Sequence, residues 1–238
     1  MTNNIKHIYL KEIRSYFNGP MAYIFLIIFS LVNGYFFSNT FFIFGQSDMR
    51  ALFQIVPLVY LFFIPAITMG IISREKNIGT MEVICTLPIK DYEFVIGKYL
   101  AVLTLLKVAL LLTGIMFINL MFVGTNIDYG AVFTGYLGLF FAGAVYASMG
   151  LFASSLTDNQ VVGFIIAIFF VLFFFLIDKL LIFMPNMIAG TMQYLSIDYH
   201  LSNISKGVLD TRNLIYFLSI ISLFIILTIE SLGSRKWD

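Results

Sequence analysis

The charged residues of this chain are concentrated in one short stretch between long apolar runs. Residues 73 to 98, SREKNIGTMEVICTLPIKDYEFVIGK, contain eight charged side chains, although only 11% of the 238 residues are charged. A polar, helix-forming insert in so apolar a chain is suited to docking into a groove on another protein. The alternative interpretation is an ordinary ordered loop.

The residue patterns that catalysis requires are missing from the sequence. A nucleotide-binding loop needs G-x-x-x-x-G-K-[ST], but the one Gly-Lys pair, in VIGKY, has Tyr92 at the first glycine position and Tyr99 after the lysine. His7 and His200 are far apart in sequence and Cys85 is the single cysteine, so no metal site of the zinc type is predicted. The sequence therefore predicts a chain that is not itself an enzyme and has no cofactor of its own.

The composition predicts that lipid is the solvent for much of the chain. Hydrophobic residues make up 60% of it and the mean hydropathy is +0.95, well above an ordinary soluble domain. Six apolar runs are long enough to span a membrane, at residues 21–44, 51–72, 98–123, 131–154, 160–183 and 213–232. The predicted fold class is an all-α membrane protein with six transmembrane helices in one domain, residues 1–238. The net charge of +1 argues against nucleic acid as a partner.

Residues 1–19 precede the first apolar run and are amphipathic. Ile5, Ile8, Tyr9 and Ile13 recur at helical spacing, which favours a helix lying in the membrane surface over a simple basic flank of the first span. Lysine and arginine are concentrated on the side that holds both termini and the 73–98 stretch. The excess predicts that both termini lie in the cytoplasm, with the chain in the cytoplasmic (inner) membrane.

The local order of residues in the charged stretch predicts a short helix between two turns. Gly79 breaks the preceding helix, Thr80 caps the next one, Glu82 lies in its first turn, and Pro88 ends it. The short helix also carries the apolar residues Met81, Val83, Ile84 and Leu87. These side chains are too apolar to remain in water, so we expect a partner protein to bury some of them.

Three further features concern the membrane region. Lys107 and Glu230 lie inside predicted spans, and Lys107 either snorkels to the interface, pairs with a group such as Glu230, or contacts a polar path through the membrane. Small residues repeat every four positions in the 131–154 run, which predicts close helix packing within the chain or at a subunit interface. Residues 184–212 are too short to span twice and are expected to form short helices at the outer leaflet.

The chain resembles a known family in its most specific segments. FFIPAITMGIISREKNIGTMEVICTLPI, followed by VIGKYL, is similar to the second and third spans and linker of ABC-2 permease subunits, the membrane subunits of type-2 ABC exporters. NGPMAYIF, GLFASSLTDNQ and ISKGVLDTRNLIYFLS resemble the gliding-motility-associated branch of these permeases. The resemblance covers nearly the whole chain.

The resemblance implies a permease that pairs with a second permease subunit, each resting on a separate ATP-binding subunit that holds ATP and Mg²⁺. Residues 1–19 would be an elbow helix, residues 73–97 the cytoplasmic coupling segment, and residues 184–212 an external gate of short re-entrant helices. The implied coupling residues are Arg74, Glu75, Lys76, Gly79, Thr80, Met81, Glu82, Ile84, Leu87 and Pro88. The implied gate residues are Met187, Tyr194, His200 and Gly207.

Two other functions remain open from the sequence, together with the identity of the partners. The chain could be a channel or carrier that works without ATP, or a structural membrane anchor of a complex. An auxiliary periplasmic or membrane subunit is a further expected partner. Only the permease requires a stoichiometric ATPase, so co-purification distinguishes it from the alternatives.

Overall fold

The computed structural model describes residues 2–44, 49–124, 127–181, 190 and 192–234, and these residues are almost entirely helical. The helices are α1 (Thr2–Asn18), α2 (Pro20–Phe44), α3 (Arg50–Thr68), α4 (Ser73–Ile78), α5 (Thr80–Thr86), α6 (Asp91–Val123), α7 (Tyr129–Leu156), α8 (Gln160–Leu180), α9 (Ile197–Ile204) and α10 (Thr211–Gly233). The predicted all-α fold class is confirmed.

Within the described part of the chain, six helical segments are long and apolar enough to cross a membrane, as predicted. They are α2, α3 continued by α4, α6, α7, α8 and α10. The third spanning helix begins at Asp91, before the predicted apolar run at 98, because its polar first turns continue the same helix. The backbone amide of Lys90 donates to Glu93 Oε2 at 3.1 Å and so fixes that start.

The fourth spanning helix, α7, is the centre of the bundle. In its most apolar window 78% of the residues are buried, against 22% in α8 and in α10. A Cβ atom on Gly135 would lie 2.1 Å from the ring of Phe53, and one on Gly150 would lie 2.0 Å from Thr68 Oγ1. The small residues of α7 therefore let α3 of the same chain approach closely, which is the first of the two predicted roles.

The second spanning segment breaks between α3 and α4, a few residues after Pro65. Ser154 of α7 holds this break together. Its Oγ accepts hydrogen bonds from the backbone amides of Ile72 and Ser73, both at 3.0 Å, and donates to the carbonyl of Met69 at 2.8 Å. One hydroxyl thus satisfies the two amides that the interrupted helix leaves without partners, and it shares the Met69 carbonyl with the Ser73 hydroxyl. The start of α4 is therefore fixed relative to α7.

The N-terminal helix α1 packs on α6. Gly97 makes the close approach possible, because a Cβ there would lie 2.8 Å from the side chain of Ile8. Two polar contacts flank this point: Asn4 Nδ2 donates to Glu93 Oε2 at 3.1 Å, and the hydroxyls of Tyr9 and Thr104 are 3.1 Å apart. The predicted helix is present, and part of its apolar stripe faces the protein.

Candidate functional site: the linker between the second and third spans

The linker contains two short helices, α4 and α5, and Gly79 sets the angle between them. It follows α4 and precedes α5 with φ +78°, a left-handed conformation that glycine adopts without a Cβ clash. The prediction that Thr80 caps α5 is wrong, because Gly79 is the N-cap and no side chain caps the helix. The Thr80 hydroxyl instead donates to the carbonyl of Glu75 at 3.2 Å and closes the turn between α4 and α5.

The helix α5 has an inner and an outer apolar side. Met81 and Ile84 are partly buried against the protein's own core. Val83 and Leu87 are 64% and 48% exposed. Together with Ile78, which is 61% exposed, they form an outer surface that we call the linker edge. Glu82, Thr86 and Pro88 are exposed around it. An apolar edge with an adjacent carboxylate, at the end of a bundle, has the composition of a docking surface.

A buried lysine connects the base of the linker to two other helices. Lys98 of α6 is 1% exposed, and its Nζ donates to Glu12 Oε1 at 2.9 Å and to the carbonyl of Ile71 at 2.8 Å. The same Nζ lies 3.0 Å from Glu75 Oε2. That contact is an ion pair without hydrogen-bond alignment, so this oxygen has no hydrogen-bond donor within the described part of the chain. The ring of Phe94 is 4.8 Å from the ammonium and adds a cation–π contact.

Lys11 completes a four-charge network of zero net charge, which we call the Lys98 network: Lys11, Glu12, Glu75 and Lys98. The Lys11 ammonium donates to Glu75 Oε1 at 3.0 Å and lies 4.0 Å from Glu12 Oε1. Partial burial lowers the pKa of Lys11. The hydrogen bond and charge of Glu75, with the charge of Glu12, outweigh this effect and hold the pKa above its ordinary value. The lysine is therefore charged at neutral pH.

The helix α4 forms the base of the linker, and its other charged residues, Lys76 and Arg74, also have defined positions. Lys76 donates to the carbonyl of Ser155 at the end of α7, and the Ser231 hydroxyl of α10 donates to the same carbonyl at 3.4 Å. Arg74 is exposed and lines a cavity of about 360 Å³ together with Glu12, Glu75 and Lys98. The linker base therefore contacts α1, α6 and α7, while the linker edge faces outward.

Sequence reasoning predicted Glu75 as a site residue but missed Glu12 and Lys98. In the sequence, Lys98 contributes only to the basic excess of the 73–98 stretch that orients the chain. The one available signal was its place in an otherwise apolar helix, seven residues inside the helix that starts at Asp91. A lysine at that depth requires a counter-charge. Nothing in the sequence identifies Glu12 as that partner.

The predicted gate segment forms a short helix and turns in the part that the structure describes. His200 of α9 is buried, and its ring is stacked on Tyr216 with centroids 3.9 Å apart. Its Nδ1 is 2.7 Å from Asn213 Oδ1, and its Nε2 is 3.0 Å from the carbonyl of Tyr194. Gly207 follows α9 with φ +94°. Eight residues of helix reach about 12 Å, too short to cross a bilayer. Met187 lies outside the described residues.

The two polar residues predicted inside the membrane are not brought together. Lys107 and Glu230 are both exposed, and no ion pair joins them in the described part of the chain. Lys107 instead lines a cavity with Lys6. Among the described residues, no three His, Cys, Asp or Glu side chains are grouped so that they could hold a metal ion.

These features define the class of the protein as a multi-pass helical membrane protein, in which the described residues include six long apolar helices and a helical insert between the second and third. The chain matches the family model described as "ABC-2 family transporter protein" over residues 7–237, and it belongs to that family. It is therefore a transmembrane subunit of an ABC transporter. No curated protein matches the chain. The resemblance to the gliding-motility-associated branch stays a prediction.

Proposed function

We propose that this chain is the permease subunit that couples ATP hydrolysis in a separate ATP-binding subunit to export or to force transmission across the cytoplasmic membrane. The linker is the coupling element, and α5 docks on the ATP-binding subunit. The observation that carries the proposal is the linker edge. Three apolar side chains, at the end of α4, within α5 and directly after α5, stand exposed at the end of the bundle, while the base of the same linker is fixed by buried charges.

The contacts of the linker supply a route by which displacement of α5 reaches the spanning helices. Gly79 and the Thr80–Glu75 hydrogen bond join α5 to α4. Glu75 contacts Lys98, which is part of the third spanning helix, and Lys98 also contacts Glu12 of α1. A short, ion-paired connection moves as a unit because separating its charges inside the protein is costly. Pulling on α5 would therefore move α4, α6 and α1 together.

The arrangement of the subunits follows from the same proposal. Both termini and the linker lie in the cytoplasm, where the ATP-binding subunit binds ATP and Mg²⁺. A second permease subunit, identical or paralogous, forms the other half of the membrane domain, and an auxiliary periplasmic or membrane subunit completes some assemblies. The segment that contains α9 serves as the external gate, and α1 serves as the elbow helix at the inner surface.

The test compares two valines that are equally exposed at opposite ends of the bundle. Val83 of the linker edge is 64% exposed, and Val208, in the connection between α9 and α10, is 65% exposed. Burying a valine side chain contributes about 1.5 kcal/mol, so Val83→Asp should weaken docking about tenfold or more. Val208→Asp serves as the matched control. The measurement is co-purification of the ATP-binding subunit, followed by the ATPase activity of the complex.

We expect Val83→Asp to lose the ATP-binding subunit or to uncouple hydrolysis, and Glu82→Lys to act in the same direction. Val208→Asp lies in the external connection, away from the linker edge, and should retain the ATP-binding subunit. Retention of the ATP-binding subunit with coupled hydrolysis by Val83→Asp would contradict the docking role of the linker edge. Purification of a transport-active chain without any ATPase would favour the channel or carrier.

A further inference from the structure

A basic site lies away from the linker, between α1 and α6. It is a cavity of about 450 Å³ that contains two lysines, Lys6 of α1 and Lys107 of α6. Its other lining residues are Ile5, Tyr9, Leu100, Leu103, Thr104 and Phe140. None of these lining residues is acidic, so two positive charges converge on an otherwise mostly apolar pocket.

A hydroxyl pair fixes the two lysine-bearing helix faces to each other. Thr104 Oγ1 donates its hydrogen to the carbonyl of Leu100 at 2.9 Å, so the 3.1 Å contact with Tyr9 has the tyrosine hydroxyl as donor. Lys6 is three residues before Tyr9, and Lys107 is three residues after Thr104. Residues three apart lie on the same face of a helix. The bonded hydroxyls therefore position both lysines along one cavity and leave the ammonium groups as its free donors.

Lys107 has no counter-charge among the residues that the structure describes. It makes no hydrogen bond or ion pair with any residue that the structure describes, although it belongs to a membrane-spanning helix. It lies nine residues beyond Lys98, about 13 Å further along the same helix. A lysine at that position is unfavourable in lipid unless its charge is met by water or by an anion. The adjacent Lys6 increases the need for an anion, since like charges repel.

We propose that this cavity binds the phosphate of an anionic phospholipid from the leaflet in which α1 lies. The two ammonium groups contact the phosphate, and Leu100, Leu103 and Phe140 contact the start of the acyl chains. Basic pockets between membrane helices on the cytoplasmic side are suited to such headgroups. The apolar walls favour a lipid over a free phosphate ion, because a free ion would leave them in contact with water.

Lipid binding there would bear directly on the position of α1. The headgroup bridges Lys6 of α1 and Lys107 of α6, and so adds a bond between helices that already meet at Gly97 and at the Lys98 network. An anionic lipid would then stabilise the docked position of α1. The inference does not depend on the coupling role of the linker, and its test uses the full-length chain without an ATP-binding subunit.

The experiment measures lipid binding by the purified chain in neutral detergent micelles. Native mass spectrometry counts bound dioleoyl phosphatidylglycerol, with dioleoyl phosphatidylcholine as the neutral lipid of equal chain length and inorganic phosphate as the free anion. The binding variant is Lys6→Gln with Lys107→Gln. Its control is Lys206→Gln with Arg212→Gln. This variant removes the same charge from two exposed residues, one between α9 and α10 and one at the start of α10. A third variant, Lys6→Arg with Lys107→Arg, keeps both charges.

We expect the parent chain to retain one phosphatidylglycerol at least tenfold more tightly than phosphatidylcholine, and the glutamine variant to lose this preference. The arginine variant and the control should keep this preference. Inorganic phosphate at millimolar concentration should neither displace phosphatidylglycerol nor raise the unfolding temperature of the parent chain. Equal retention by the parent and the glutamine variant would overturn the site. Loss of the preference in the control would show a general charge effect and overturn it as well. Binding of phosphate alone as tightly as the lipid would refute the lipid as ligand.

Discussion

Lys98→Met is the change whose consequence is best defined by the structure. The substitution keeps an unbranched side chain of similar length and removes the charge that joins α6 to α1 and α4. The carboxylates of Glu12 and Glu75 would then face the same cavity with side chains only 14% and 15% exposed. Among the described residues, the exposed cations Lys11 and Arg74 would remain near them, and Lys11, which pairs with Glu75, is 63% exposed.

The expected cost follows from removing one partner of a buried ion pair, which amounts to about 3–5 kcal/mol. For a chain of this size that corresponds to a fall in the unfolding temperature on the order of 10 °C. The assay is thermal unfolding of the purified chain in detergent, followed by intrinsic fluorescence. Lys206→Met, which removes an exposed lysine, is the control and should change stability by about 0.5 kcal/mol or less.

A triple variant separates the loss of charge from the loss of packing. Glu12→Gln, Glu75→Gln and Lys98→Met together remove both unpaired carboxylates, and neutral replacements of whole buried networks are often tolerated. The triple variant should therefore recover most of the stability lost by Lys98→Met alone. If the triple variant is as unstable as the single one, uncompensated charge is not the cause. A loss below about 1 kcal/mol for the single variant would likewise refute the reasoning.

Three other outcomes are expected. Gly97→Leu should detach α1, because even a Cβ atom would lie 2.8 Å from Ile8. Limited proteolysis should then cut α1 faster than in the control Gly114→Leu, since a Cβ atom on Gly114 would have no neighbour within 4 Å. His200→Ala removes two hydrogen bonds and a stacked ring from the α9 segment, so amide hydrogen exchange should rise over residues 197–204 and stay unchanged in α5. A reporter fused after Asp238 should be active only in its cytoplasmic form, and an external reading would reverse the proposed orientation.

The spanning helices could be predicted from the sequence because their signal is local. A run of about 20 apolar residues determines a spanning helix without reference to the rest of the chain. The start of α8 at Gln160 agrees with the predicted 160 for this reason, and the helix Thr2–Asn18 follows from another local signal, the helical spacing of its apolar residues. The small residues of α7 indicated close packing, but the sequence could not tell whether the neighbouring helix belonged to the same chain.

The Lys98 network could not be predicted because its members are distant in sequence. Glu12 and Lys98 are 86 residues apart and meet only because α1 crosses α6 at Gly97. On α1 alone, Glu12 is one polar residue among several on a helix that could equally have faced water. Lys107 and Glu230 show the converse: each is unusual in its own span, but the packing of the bundle leaves both exposed.

The two faces of α5 were beyond sequence reasoning for a related reason. A seven-residue helix with apolar residues on several sides has no dominant stripe, so its orientation depends on contacts with the bundle. Met81 and Ile84 turned toward the core, leaving Val83 and Leu87 outside. The predicted Thr80 cap failed because Gly79 takes the left-handed conformation at the junction of the two helices and so occupies the N-cap position itself.

Site-specific photo-crosslinking from position 83 tests the coupling role of the linker most directly. A benzophenone amino acid is placed at residue 83 in the chain co-expressed with its ATP-binding subunit, and the same residue is placed at position 208 for comparison. The account predicts an adduct from position 83 that mass spectrometry identifies as the ATP-binding subunit, and no such adduct from position 208. The account would be contradicted by an intact complex in which position 83 crosslinks only to lipid, or in which none of its adducts contains the ATP-binding subunit.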